Sequence, residues 1–254
     1  MPVSVIIPAF NADRFIKASL ESLLRERNDV DLDIIVIDDG STDRTREIVA
    51  NYAENHSEVR LLTNPRKGIA AARNTGLDNL RVGCAFVAFL DIDDVSCPGR
   101  LARQRSILLG DPEIDVLYGR VQMFDAFDEE ALAPKAGSRT KIIRGPYLQS
   151  AMYRPHVFDK VGRFDETFRQ GCYTDFVLRV VESGARLVLD DGIAAYYRRH
   201  DANVTLNTVE MQREFMLATL KWAARNRFKG RGELPAIFSE LFLRRDEIEK
   251  DFQE

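Results

Sequence analysis

The sequence is poor in features that define several protein classes. Its 254 residues hold three cysteines, Cys84, Cys97 and Cys172, without the paired spacing of a zinc site or redox motif. That excludes a disulfide framework and fits a reducing compartment, where the three read as small packing residues. No stretch approaches the roughly 20 uncharged apolar residues of a membrane-spanning helix. Basic excess is missing too: 36 Lys and Arg stand against 40 Asp and Glu, a formal net charge of -4, which argues against a nucleic-acid polymer as partner. The opening Met1-Pro2-Val3-Ser4-Val5-Ile6-Ile7 lacks a basic segment ahead of a cleavable apolar run, so the expected location is the cytoplasm. What is present, 45% hydrophobic and 30% charged residues, is the ordinary make-up of a globular protein with an ample core.

The first half alternates short β-branched runs with helical patterns. Val3–Ile7, Ile34–Ile37, Val59–Thr63 and Ala85–Leu90 read as strands, with helices over Arg14–Leu24, Thr42–Ala53 and Ile69–Leu80. This is the βαβ signature of a mainly parallel, Rossmann-like sheet in an α/β fold, its strands apolar throughout and buried on both faces. After Asp94 a helix from Pro98 to Leu109 leads into Val116–Phe124 and then a polar, irregular stretch, Asp125–Thr140. Short helices are expected over Arg154–Val161 and Thr174–Ser183, and two late strands over Leu187–Leu189 and Ile193–Tyr197. Helical spacing returns over Val209–Asn226 and Leu234–Phe252, separated by Gly230 and Gly232. The expected division is a domain over 1–207, split at 97/98, followed by a helical appendage over 208–254. The appendage carries an apolar stripe, Leu234, Ile237, Phe238, Leu241 and Phe242, that reads first as a core-facing surface and second as a peripheral membrane contact at the inner face.

Two acidic segments follow predicted parallel strands, where ligands of open α/β sheets bind. In Asp38-Asp39-Gly40-Ser41-Thr42-Asp43, turn and capping chemistry explains Gly40 to Asp43, with Thr42 able to cap the next helix. It does not explain two adjacent acids at a strand end, where a carboxylate can accept an imide N–H from a base such as uracil. In Leu90-Asp91-Ile92-Asp93-Asp94, three acids within four residues repel one another unless a cation or donor offsets them. Hard oxygen ligands favour Mg²⁺ or Mn²⁺, which bridge protein carboxylates to diphosphate oxygens.

Together with Val5–Asn11, these segments resemble the family 2 glycosyltransferases, whose nucleotide-binding half has the GT-A fold. The resemblance continues through Lys67-Gly68-Ile69-Ala70-Ala71-Ala72-Arg73-Asn74-Thr75-Gly76, Val161–Glu166 and Tyr197-Arg198-Arg199-His200, and covers Met1 to Asn207. It implies an inverting enzyme that uses a nucleotide-diphosphate sugar, UDP-linked, to extend a glycan or lipid-linked acceptor in cell-surface or secreted polysaccharide synthesis. By the same resemblance, Pro8, Ala9 and Phe10 border the base and Asp39 accepts from it. Asp91 faces the ribose or the metal, Asp93 is the main metal ligand, and Asp94 is structural. Lys67 and Arg73 contact phosphate or sugar, against the alternative of solvated charges at a helix start, and His200 contacts metal or diphosphate.

One position departs from the pattern. Relatives hold the base that takes the acceptor proton in a Glu-Asp pair ahead of a helix with a Leu-x-Leu-Arg-like run. Counted back from Val177-Leu178-Arg179, that pair falls on Cys172-Tyr173. Asp175 is the candidate base and Asp165 a substitute, unless Asp175 only supplies favourable charge to the first turn of its helix. The departure keeps a second expectation open: a catalytically silent nucleotide-sugar-binding module, or a partner subunit of an active transferase.

Overall fold

The computed structural model describes residues 1–198 and 208–227. His200 and the predicted helix over Leu234–Phe252 lie outside the described residues.

The apolar runs become the strands of one sheet. β1 (Val3–Ala9), β2 (Leu32–Asp38), β3 (Val59–Thr63) and β4 (Phe86–Phe89) lie in the order β3-β2-β1-β4, all parallel. Helices α1 (Ile16–Leu24), α2 (Thr45–Asn55) and α3 (Ile69–Asp78) connect them. Every residue of β1, β2 and β4 is buried, as both-face packing requires. The Asp94 boundary is marked by a short strand, β5 (Val95–Ser96), and a helix, α4 (Arg100–Gly110).

Beyond it the sheet becomes mixed. β6 (Val116–Phe124) leads to a small hairpin, β7 (Phe127–Asp128) and β8 (Ala133–Pro134), and to β9 (Thr140–Ile143). The stretch over 125–140 is thus more ordered than its polarity suggested, because Asp128 Oδ1 accepts the N–H groups of Glu130 and Ala131 and Arg139 pairs with Asp125. β10 (Ala151–Tyr153) is antiparallel to both β4 and β6 and joins the two halves. Three residues are too few to announce a strand by pattern.

α5 (His156–Val161) and α6 (Cys172–Glu182) precede β11 (Leu187–Arg198), which runs parallel to β6. The two late strands expected around Asp190-Asp191-Gly192 are therefore one, with register shifts between Leu189 and Ala195. Gly192 permits this: a Cβ there would lie 2.4 Å from the Arg103 guanidinium carbon.

α7 (Thr208–Asn226) packs on α6 and sends Ala218 and Trp222 into the core cluster shared with Phe164, Phe168 and Phe176. Lys221 anchors it by donating to Asp165 Oδ2 at 2.7 Å. Burial pushes the Asp165 carboxyl up, but hydrogen bonds from Lys221 and Thr167 outweigh it and bring the pKa to about 2. A folded-state pKa below the unfolded value of about 3.9 stabilises the fold above that value and is lost as pH falls toward the folded one. After discounting for partial exposure, Asp165→Asn is expected to cost on the order of 1–2 kcal/mol at neutral pH. The difference from wild type in urea unfolding should shrink as pH is lowered from about 4 toward about 2.

Candidate functional site

The site collects at the carboxyl ends of β1, β2 and β4. At the end of β2 the two adjacent acids divide their work. Asp38 is buried, accepts the Ser41 N–H through Oδ1 and pairs with Arg46 through Oδ2, which makes it a turn residue. Asp39 faces outward: Oδ1 accepts from Asn64 Nδ2 at 2.6 Å and Oδ2 from the Gly68 N–H at 3.0 Å. A carboxylate has about four lone-pair sites, so capacity remains for another donor. Lys67 Nζ donates to the Asp39 carbonyl at 2.6 Å, directly over Gly40. Gly40 sits at φ 85, and a Cβ there would collide with the Lys67 ammonium.

The turn after β1 closes one side of this acid. Asn11, at φ 47, accepts the Thr42 N–H through its side chain while its own N–H reaches Ser41 Oγ. Thr42 is therefore tied to the first turn, and the first N–H of α2 is accepted by Asp43 instead. Pro8 and Ala9 end β1 opposite Ile37 and Asp38, and Phe10 beside them is 55% exposed. The Asp39 N–H is accepted by the Ala9 carbonyl at 2.8 Å, which ties the end of β1 to the segment carrying the acid.

α3 carries the next layer. It approaches β1 closely because residue 76 is glycine, whose Cβ would lie 2.5 Å from Ile6 Cγ2. That approach aims the Gly68 N–H at Asp39 and turns Arg73 inward. Arg73 is no solvated charge: it is 5% exposed, donates through Nη2 to Asp91 Oδ1 at 3.0 Å and through Nη1 to Cys172 Sγ at 3.3 Å, and lies over the Phe164 ring. Asn74 fixes the same helix to the following half through the Phe164 backbone and Glu166.

The acids after β4 differ in access. Asp91 keeps a third of its side chain exposed, whereas Asp94 is fully buried and accepts the Arg198 N–H at 3.2 Å through Oδ1. Burial raises the Asp91 carboxyl pKa; Arg73 opposes this and Asp93 adds to it. Asp94 is pushed well above the usual carboxylate range by burial and then by Asp93 and Asp91, against the pull of Arg198. Its Oδ2 is buried without a hydrogen-bond partner. Among the described residues no three His, Cys, Asp or Glu side chains form a closed metal cage. The donor set instead fits Mg²⁺ or Mn²⁺ held by one or two carboxylates, with remaining ligands from water and a diphosphate.

The acceptor-side expectation needs correction. Cys172 takes the place beside Arg73, and the Tyr173 hydroxyl lies among the Tyr118 and Tyr153 phenols. Asp175, 2% exposed, is not brought to the acidic cluster: Oδ2 pairs with Arg179 at 2.8 Å and Oδ1 with Arg225 at 3.2 Å. Both oxygens of this carboxylate thus serve ion pairs, one within α6 and one between α6 and α7. Asp165 is similarly tied to Lys221 and Thr167.

Two residues escaped the sequence reading. Asn64 orients Asp39, and its position just past β3 was the available signal. Arg198, whose N–H reaches Asp94 and whose guanidinium lies 3.9 Å from the Phe127 ring centroid, stands two positions before His200 in the same run.

Comparison with known proteins places this arrangement. The family model "Glycosyl transferase family 2" matches residues 4–173. An uncharacterized glycosyltransferase of Bacillus subtilis, EpsJ, is 26% identical over 212 residues, covering 76% of this chain and 60% of its own length. WfgD of Escherichia coli, a UDP-Glc:alpha-D-GlcNAc-diphosphoundecaprenol beta-1,3-glucosyltransferase, is 37% identical over 124 residues, covering 48% of this chain and 47% of its own. The chain thus spans less than two thirds of either relative. The mannosyltransferase PcManGT of Pyrobaculum calidifontis, solved with GDP-Man and Mn2+, superposes with a TM-score of 0.66 at 19% identity, over 93% of this chain and 66% of that one. That likeness shows the GT-A-type fold.

Proposed function

Because the chain belongs to glycosyl transferase family 2, we propose that it is a metal-dependent inverting glycosyltransferase, transferring a sugar from a UDP-linked donor to a glycan or lipid-linked hydroxyl in polysaccharide synthesis. The observation that carries this reading is the pairing of the buried Arg73 with the part-exposed Asp91, itself one of three acids whose repulsion adds to burial in raising the pKa of Asp91 and Asp94, on the same sheet edge as Asp39. A structural salt bridge does not need acids beside it that push the pKa of its own carboxyl and of a neighbour up; a site for a cation and a diphosphate does. The UDP-Glc in the name of WfgD and the Mn2+ of the PcManGT structure support the donor and the ion.

In this reading Pro8, Ala9 and Phe10 border the base and Asp39 accepts its imide N–H. Asp91 and Asp93 would hold Mn²⁺ or Mg²⁺, with His200 as the further ligand that the family resemblance implies, and Lys67 keeps spare N–H donors for a phosphate oxygen. When bound, the ion offsets charge on the departing diphosphate. Arg73 opposes the effect of burial on the Asp91 carboxyl and orients it. The acceptor oxygen bonds to the anomeric carbon as the bond to diphosphate breaks, and the hydroxyl proton leaves to a base.

A screen of nucleotide-diphosphate sugars with Mn²⁺, following thermal stabilisation and diphosphate release, tests the proposal. Stabilisation by a UDP-sugar with release in the presence of an acceptor is expected; no stabilisation by any donor would refute it. Stabilisation without release favours the second reading, a silent donor-binding module, which rests on Cys172, Tyr173 and the ion-paired Asp175. Asp39→Ala is expected to weaken UDP by about 1.5–3 kcal/mol, the scale of one charge-assisted hydrogen bond. Unchanged affinity in calorimetry would reduce Asp39 to a turn residue.

A further inference from the structure

We propose that Glu214 is a positioning residue of the donor site: from α7 it caps the start of α6, holding Cys172 against Arg73 and Arg73 against Asp91. The inference rests on the donor-site reading above and adds to it a helix beyond the family match, which ends at residue 173.

α6 opens at Gly171 without a side-chain cap of its own. A helix start leaves N–H groups unsatisfied, and most helices meet this with a local Ser, Thr, Asp or Asn. Here a carboxylate from α7 ties down the segment leading into α6: Glu214 Oε1 accepts the Arg169 N–H at 2.7 Å, and Oε2 accepts those of Gln170 at 2.6 Å and of Gly171, the N-cap residue 43 positions away, at 2.5 Å. Glu214 is 6% exposed. Burial pushes its carboxyl up, but the three backbone donors outweigh this and hold it below the usual range. A negative charge at this end also complements the helix dipole.

Gly171 makes the approach feasible. Its φ is -78, open to any residue, yet a Cβ would lie 2.8 Å from Glu214 Cβ. The glycine is there for space, not for conformation. The residue immediately after the cap is Cys172, whose Sγ receives Arg73 Nη1 at 3.3 Å, and Nη2 of the same guanidinium reaches Asp91 at 3.0 Å. A shift of the α6 start is thereby passed through one buried cation to the exposed acid. Glu214 is not assigned as the missing base, since it is 6% exposed and both of its oxygens are engaged by the backbone of residues 169–171.

The test uses the full chain with Glu214→Ala and Glu214→Gln. Thiol alkylation by iodoacetamide, mapped by peptide mass, reads the α6 start without any ligand. Cys172 and Cys97 are both buried, so Cys97 reports general loosening. Cys172 should label about tenfold faster in Glu214→Ala, less so in Glu214→Gln, with Cys97 unchanged. Calorimetry with UDP and Mn²⁺ should show about tenfold weaker binding in Glu214→Ala. Unchanged Cys172 labelling, or a parallel rise at Cys97, overturns the cap as a local positioning device. Equal UDP affinity in variant and wild type overturns its link to the donor site. Absence of UDP binding in the wild type counts against the proposed function instead, and the labelling result still decides the role of Glu214.

Discussion

Replacing Asp93 by alanine is expected to abolish metal-dependent binding of UDP. Two unit charges about 4 Å apart repel by about 4 kcal/mol at the effective dielectric of a protein surface, so a diphosphate beside Asp91 and Asp93 is unfavourable until a cation intervenes. Loss of residues that merely orient metal ligands lowers affinity by about 10–100-fold, and loss of a ligand should exceed that range. Asp93 pushes up the pKa of Asp91 and Asp94 and also attracts the Arg198 guanidinium. The expected pattern in the folded variant is UDP binding no stronger in Mn²⁺ than in EDTA. Equal UDP affinity for the wild type in Mn²⁺ and in EDTA would show that the acids serve another purpose.

The nucleotide-binding half was legible because its strands are buried on both faces and its helices on one, which writes different periods into the chain. β1, β2 and α2 could be read this way, and strand-end position singled out Asp39 and Asp91. The second half was less so. β10 is three residues long and β11 crosses Asp190-Asp191-Gly192 without breaking, because its register slips where Gly192 meets Arg103. Arg73 was ambiguous for a similar reason. Its depth depends on Gly76 drawing α3 against β1, a tertiary fact that helical spacing does not contain. The partners of Asp175 were hidden further still, since Arg225 lies 50 residues away on a helix outside the family match.

That last contact governs what the acceptor side should do. Asp175→Asn is expected to act on stability, not on chemistry. It removes the charge between Arg179 and Arg225 at a site with 2% exposure, and losing one partner of a buried pair is costly because the remaining charge stays desolvated. Both arginines are partly exposed, which places the cost at about 2–4 kcal/mol, or roughly 5–15 °C in melting temperature for a chain of this size. Turnover per folded molecule should hold within about threefold, whereas loss of a general base typically removes a factor of about 10²–10⁴ without a comparable loss of stability. Assays below the variant's melting temperature separate the two patterns, and a hundredfold fall in turnover at unchanged stability would restore Asp175 as the base. Tyr173→Asp then addresses the silent reading. The Tyr173 phenol cannot serve as a base near neutral pH, because burial and the neighbouring Tyr118 and Tyr153 raise its pKa well above the ordinary value of 10.0. An aspartate there replaces a buried phenol by the acid that the family resemblance implies at this position. If the wild type binds donor without transfer, gain of transfer in this variant identifies an enzyme that has lost its base. If the wild type transfers, the same substitution should only cost stability through the broken Tyr118 and Tyr153 contacts, and the proton must leave by a route that uses neither position.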